Sequence, residues 1–300
     1  SRLPAPPQST TGWSMAPIVS VLRSLAAVKP NVTIVIAVKN AAGTLQRCLD
    51  SVFAQRGALA EVVVVDALST DGTLELLRAN APRLGAWISE PDSGIYAAWN
   101  KGIARARADW IAFLGADDAL AGPDALAGLL AAAARGPERI VYGRIELVAP
   151  SGRVVETVGR PWPAAREAFL DGFMLPHPGA LHHRSLFERH GPFDESYRIA
   201  GDYEMLLREL RSQDAKFADC LVARVALGGA SSRPGTIHRT LKEVARARRR
   251  HGLPPSRRLA TALAASWVGA RDHAGLGATA FHALADLYRV VRGKPRLWTK

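Results

Sequence analysis

Two cysteines, Cys48 and Cys220, stand far apart in a chain of 300 residues. Neither has a thiol or histidine at metal-ligand spacing, and no C-x-x-C or H-x-x-x-H pattern occurs. A disulfide framework and a zinc site are thereby excluded, a reducing compartment is the default, and both cysteines read as small buried hydrophobes. No apolar run approaches the roughly 20 residues of a membrane span. Residues 13–28 are mildly apolar, but Arg23 interrupts them and no cleavage-site pattern follows. Aromatics make up only 7% and no internal repeat occurs. What remains is an ordinary globular composition, 48% hydrophobic and 22% charged, long enough to bury a core without staples.

Acid is scarce at one end. Residues 239–300 hold fourteen Lys and Arg against three Asp and Glu, which is +11 of the +12 net charge. The basicity therefore belongs to a tail. The tail reads as helical at 237–251, 258–270 and 278–292, with Glu243, Arg246 and Arg250 on one face of the first helix. Two readings stand side by side: a positive, partly apolar surface resting on anionic lipid, or helices packed on the rest of the protein with a solvated basic face. A nucleic-acid partner is a third reading of the charge. The tail lacks interleaved aromatics and any recognition motif, which argues against it.

The chain is organised around residues 109–120. Residues 110–114 form a wholly apolar run, which reads as a strand buried on both faces of a parallel sheet. It ends on adjacent carboxylates, Asp117 and Asp118. Open α/β sheets bind ligands at the carboxyl ends of their strands. Two carboxylates there repel unless a cation is shared, and hard oxygen donors suit Mg2+ or Mn2+, which in turn bind phosphates. Upstream, strands are expected at 32–38, 61–65 and 86–89, and helices at 44–55, 73–81 and 95–107, with short loops between them. These are βαβ units and imply a mostly parallel sheet. Ser93 is the expected cap of the helix from 95. Downstream, a helix is expected at 123–134, strand pieces at 139–143 and 145–148, a hairpin return at 153–158, helices at 164–169 and from Asp202 to about 210, and a last strand at 221–227. His177, His182 and His183 read as alternating positions on a strand. Residues 17–27 read as a short helix.

Three ordered segments carry a resemblance. Asp66-Ala-Leu-Ser-Thr-Asp-Gly-Thr is similar to the D-x-x-S-x-D-G-T signature of family 2 glycosyltransferases with the GT-A fold. Glu90-Pro-Asp-Ser-Gly-Ile-Tyr-Ala-Ala-Trp-Asn-Lys-Gly resembles the E-P-D-x-G-I-Y-x-A-x-N-K-G segment of a subgroup that includes bacterial exopolysaccharide and glycolipid enzymes. Phe113-Leu-Gly-Ala-Asp-Asp resembles its F-L-N-A-D-D metal motif. Further on, Ile199-Ala-Gly-Asp202-Tyr-Glu resembles the motif that carries the general base. The resemblance covers about residues 32–231.

The resemblance implies an α/β, Rossmann-like GT-A sheet flanked by helices, with a helical C-terminal extension. The implied domains are an extension over 1–30, a catalytic domain over 31–235 (nucleotide half 31–120, acceptor half 121–235) and a basic extension over 236–300. It implies nucleotide contacts at Ala37, Val38, Asn40, Asp66, Asp92, Asn100, Lys101 and Asp117, and a Mn2+ or Mg2+ ion on Asp118 assisted by Asp117. It also implies a general base at Asp202 and substrate contacts at His177 and Arg184. The donor is expected to be a nucleotide-sugar, a UDP-sugar first, and the acceptor a glycan or glycolipid. The place of action would be the cytoplasm or the inner face of the membrane. Where the family usually has Pro-Thr-Tyr-Asn, this chain has Ala37-Val-Lys-Asn40, so an aromatic over the base is missing. The Gln-x-x-Arg-Trp motif of processive synthases is absent too, which implies one or few sugars per encounter. Two rival readings are a non-catalytic relative and a sugar-phosphate nucleotidyltransferase. The second would need a glycine-rich, Arg-containing loop that residues 37–43 do not supply.

Overall fold

The computed structural model describes residues 29–228 and 234–263. The helices expected at 17–27 and 278–292, the part of 258–270 beyond 263, and the loop 229–233 lie outside the described residues.

The first half alternates as the apolar runs require. β1 (Val32–Val38), α1 (Leu45–Phe53), β2 (Ala60–Asp66), α2 (Thr73–Asn80), β3 (Ala86–Ser89), α3 (Ile95–Ile103) and β4 (Trp110–Gly115) follow one another with short loops. The four strands pair in parallel in the order β3-β2-β1-β4. Along β1 the side chains alternate between two cores. Val35 joins the one shared with Phe113 of β4 and with Tyr96 and Trp99 of α3, while Ile34 and Ile36 join the one under α1. On α1, Leu45, Cys48, Leu49 and Val52 are all buried; each aliphatic side chain so covered contributes about 1.5–3 kcal/mol. α3 presses on β1 at Gly102, where any Cβ would collide with Val35 Cγ1.

The second half extends the same sheet. It contains β5 (Ala119–Leu120), α4 (Ala125–Ala133), β6 (Ile140–Val148), β7 (Val154–Val158), α5 (Trp162–Leu170), β8 (Ala180–His183), α6 (Arg184–His190), α7 (Gly201–Leu210), β9 (Lys216–Ala226) and α8 (Pro234–Arg250). β8 runs antiparallel between β4 and β6 and joins the halves, and the order continues β4-β8-β6-β9-β5, with β7 beside β6. β6 is one strand rather than two pieces, with a register shift at Tyr142–Arg144 where Gly143 sits against the β9 backbone. α3 stops at Ile103 rather than 107 because Arg107 turns to the buried Glu61, 2.5 Å away. The first tail helix, α8, packs on α7 with Val244 and Ala247 buried. Among the described residues no helix is long and apolar enough to cross a membrane.

Candidate active site

Register builds the site. Val38 of β1 pairs with Asp66 of β2, Asp66 with Ser89 of β3, and Ala37 with Gly115 of β4. The carboxyl ends of four parallel strands thus form one row. Asp66 is fully buried there. Its Oδ2 accepts from the Ser69 N–H (3.0 Å) and the Ser89 hydroxyl (2.6 Å), and its Oδ1 accepts from the Ser69 hydroxyl. Asn40, in the left-handed region at φ 52°, locks the first loop onto the second. Its side-chain oxygen accepts from Thr70 N–H at 2.9 Å and its own N–H donates to Ser69 Oγ at 2.7 Å. Asp71 continues the clasp by accepting from Ala42 N–H at 3.0 Å. Leu68 stands half exposed beside Asp66, also left-handed.

At the end of β4 the chain turns back on itself. Asp118 is buried, and its two oxygens accept from Ala226 N–H (3.0 Å) and Gly115 N–H (3.3 Å). Burial, and then the neighbouring Asp117 charge, push its carboxyl up to about 6. A Cβ on residue 115 would lie 2.6 Å from Asp118 Oδ2 and 2.9 Å from Asp117 Oδ1. Glycine is what lets both carboxylates fold over the strand end. Arg47 of α1 steadies the turn by donating to the Asp117 carbonyl at 2.6 Å. Two crowded carboxylates with hard oxygen donors fit a Mg2+ or Mn2+ ion. No group of three or more ligating side chains forms among the described residues, so an ion held here would complete its shell with water and phosphate oxygens, as such ions ordinarily do.

Asp202, in the first turn of α7, is partly buried. Its Oδ1 accepts from Tyr203 N–H (2.8 Å) and lies 3.3 Å from the Tyr96 hydroxyl, which donates to the Ile199 carbonyl at 2.5 Å. Desolvation raises its carboxyl to about 6, against the pull of those donors and with a push from Glu243. Tyr96 belongs to the first turn of α3, which starts just past the carboxyl end of β3. The base candidate therefore stands at the same edge of the sheet as the aspartate row. A Cβ on Gly201 would lie 2.7 Å from the Tyr96 ring, so the glycine before Asp202 admits that contact.

The other sequence-derived positions differ in where they stand. Asp92 accepts from Gly94 N–H at 3.0 Å and shapes the entry to α3; Ser93 does not cap that helix but donates to Glu195 at 3.2 Å. Asn100 exchanges hydrogen bonds with the Phe193 backbone, and Lys101 is held by Glu90 (2.9 Å) and the Pro91 carbonyl (2.8 Å). The polar atoms of both are engaged by protein partners, and Glu90, which holds Lys101, itself donates its N–H to the Asp66 carbonyl at 3.0 Å. His177 lies in a 3-10 turn, not on the strand of His182 and His183. It is buried between Trp99 (5.0 Å) and Phe113 (5.4 Å), and burial holds it neutral, well below the usual imidazole range. Its Nε2 is buried without a hydrogen-bond partner. Arg184 is a correction. It sits at the amino end of β4, opposite the aspartates, and its guanidinium is spent on the Ala106 and Ala108 carbonyls. Arg47, Tyr96 and Glu243 went unnoticed in the sequence as site residues. Their partners lie 43 to 106 positions away, and no local pattern marks such pairs.

This mixed, mostly parallel sheet is the GT-A glycosyltransferase fold. The mannosyltransferase PcManGT from Pyrobaculum calidifontis, solved with GDP-Man and Mn2+, superposes with TM-score 0.59 at 20% identity, over 93% of this chain and 90% of that one. Staphylococcus aureus TarS 1-349 with UDP-GlcNAc superposes with TM-score 0.58 at 16% identity, over 72% of this chain and 66% of its own. The chain belongs to glycosyl transferase family 2, whose model matches residues 33–189. A PGL/p-HBAD biosynthesis glycosyltransferase of Mycobacterium tuberculosis is 33% identical over 187 residues, covering 60% of this chain and 69% of the relative. The protein is thus a glycosyltransferase, which sets aside the nucleotidyltransferase reading.

Proposed function

We propose that the protein moves one sugar at a time from a UDP-sugar to a hydroxyl of a glycan or lipid-linked acceptor, with inversion, and with Mn2+ or Mg2+ held by Asp118 and Asp117. The observation that carries this reading is the presence, at one sheet edge, of two acid sites with different surroundings: a crowded pair over Gly115 and a single carboxylate under a tyrosine. A divalent ion would neutralise the charge that develops on the departing diphosphate. Asp66, with Ala37, Val38 and Asn40 beside it, receives the base and ribose end of the donor. Asp202 takes the proton of the acceptor hydroxyl as its oxygen bonds to the anomeric carbon and the bond to the diphosphate breaks. One displacement from the face opposite the leaving group inverts that carbon. A carboxyl near 6 is deprotonated at neutral pH yet basic enough to accept a proton.

The PGL/p-HBAD name of a relative supports a lipid-linked acceptor. So do Arg239, Lys242 and Arg249, which are exposed on α8 and suit peripheral contact with an anionic membrane on its cytoplasmic side.

The test is a thermal-shift and donor-hydrolysis panel of UDP-, GDP-, dTDP- and CDP-sugars, each with Mn2+, Mg2+ or EDTA. Stabilisation by one nucleotide class only with metal is expected, lost in Asp118→Ala and kept in Asp202→Asn. No stabilisation by any nucleotide would sink the reading.

A further inference from the structure

Asp202 is reached through segment 193–200, which lies between α3 and α8 and is bonded to both. On the α3 side, Asn100 bonds the Phe193 backbone in both directions (2.9 and 3.0 Å), Tyr96 donates to the Ile199 carbonyl, and Arg198 donates to the Ser93 carbonyl. On the α8 side, Arg250 pairs with Asp194 at 2.5 Å and Arg246 lies 3.7 Å over the Tyr197 ring. The Glu243 carboxylate accepts the N–H groups of Arg198, Ile199 and Ala200 at 2.9 to 3.1 Å. These three α8 residues are one helix face, spaced at three and four. Ala200 is the N-cap of α7 and has no side chain able to cap it. Glu243 therefore gathers the amides that lead into the turn carrying Asp202, a task no residue of α7 performs.

We infer that Glu243 is a positioning residue for the transfer reaction: from the C-terminal extension it fixes the backbone that aims Asp202 at the acceptor hydroxyl. The inference rests on the reading of Asp202 as the base. A carboxylate accepting three amides holds the backbone more firmly than a neutral contact would, and small misplacements of a reacting group are costly in rate. The donor side stands on other elements, β1, β2 and β4, and is untouched by α8. Loss of Glu243 should therefore appear in kcat and leave donor KM alone.

The experiment measures release of UDP from UDP-glucose and UDP-GlcNAc, and of GDP from GDP-mannose, at saturating Mn2+. Glu243→Ala should lower kcat about tenfold or more with donor KM unchanged. Glu243→Gln keeps an oxygen where Oε2 gathers all three amides and should recover most of that loss. Gln also removes a charge. The groups facing Asp202 are Tyr96 from α3, the Tyr203 N–H on its own helix and Glu243 from α8, so the acid limb of kcat should move to lower pH in Glu243→Gln. A merely structural anchor would lower the melting temperature without splitting kcat from KM or moving that limb. Wild-type kcat in Glu243→Ala, or an unmoved limb in Glu243→Gln should the alanine variant fail to fold, overturns the inference. Asp202→Asn in the same assay separates the two ideas. If it turns over normally, the base reading and this inference fall together; if it is inactive while Glu243→Ala is unaffected, only the inference falls.

Discussion

Asp202 is the residue we propose as the general base, and its surroundings set two opposite pH trends. Its carboxyl in the fold stands at about 6, above the usual 3.8. The active form is the deprotonated one, so turnover should fall about tenfold per pH unit below that value. Stability runs the other way. A carboxyl whose folded value is raised is held best when protonated, so its contribution is present at low pH and is lost as pH rises through about 6. Asp202→Asn is neutral at every pH. It should melt above wild type at pH 7.5 and close to it at pH 4, while losing about 10²–10⁴ in kcat. Asp118 titrates in the same range but is common to both proteins and cancels in the difference. A melting difference that does not grow with pH would mean that Asp202 is solvated in the fold. At this scale the sequence was readable where a residue's placement is local. Asp118 and Asp202 end or begin elements with recognisable neighbours. Arg184 was not readable, because a guanidinium beside a strand looks the same in sequence whether it faces ligand or binds carbonyls 76 and 78 positions back.

Among the elements, α3 does the most to shape the edge of the sheet. It supplies Tyr96 to Asp202, Trp99 to the ring stack under the site, and Gly102 to the contact with β1. At Gly102 the fit against Val35 Cγ1 is tight. Gly102→Ala should force α3 outward and cost about 1–3 kcal/mol by overpacking. Val35→Ala removes the methyl groups in the way, so the double variant should be more stable than the sum of the two losses, with a coupling of about 0.5–3 kcal/mol. Urea midpoints of the four proteins would show it; strict additivity would mean that the helix shifts freely. The parallel half was legible because each strand is a short apolar run bounded by turn formers, and each helix repeats on one face. The second half was less so. Gly143 divides an apolar run that the structure keeps as one bulged strand. β5, two residues long, and α6, seven, are too brief to leave a period. They exist because β9 and the β8 end offer them partners.

Over the whole molecule, charge is divided by use rather than by sequence position alone. The +11 of residues 239–300 reads in sequence as one basic surface, but part of α8's share is tied to neighbours: the buried Arg248 on the Pro254 carbonyl, and the exposed Arg246 and Arg250 on the Tyr197 ring and Asp194. Arg239, Lys242 and Arg249 face out. If α8 carries the enzyme to a lipid-linked acceptor, those three should matter more than the three already engaged by protein partners. Each cation near an anionic surface contributes about 1 kcal/mol, so changing all three to Ala should weaken binding to vesicles containing phosphatidylglycerol by about 100-fold. The effect should shrink at about 0.5 M salt, where the Debye length falls to a few ångströms. Donor hydrolysis without vesicles should stay at the wild-type rate, because among the described residues the bonds from α8 to segment 193–200 come from Glu243, Arg246 and Arg250 and from none of these three. Unchanged vesicle binding in the triple variant would remove α8 from the membrane-facing surface and leave it the single task of holding the base.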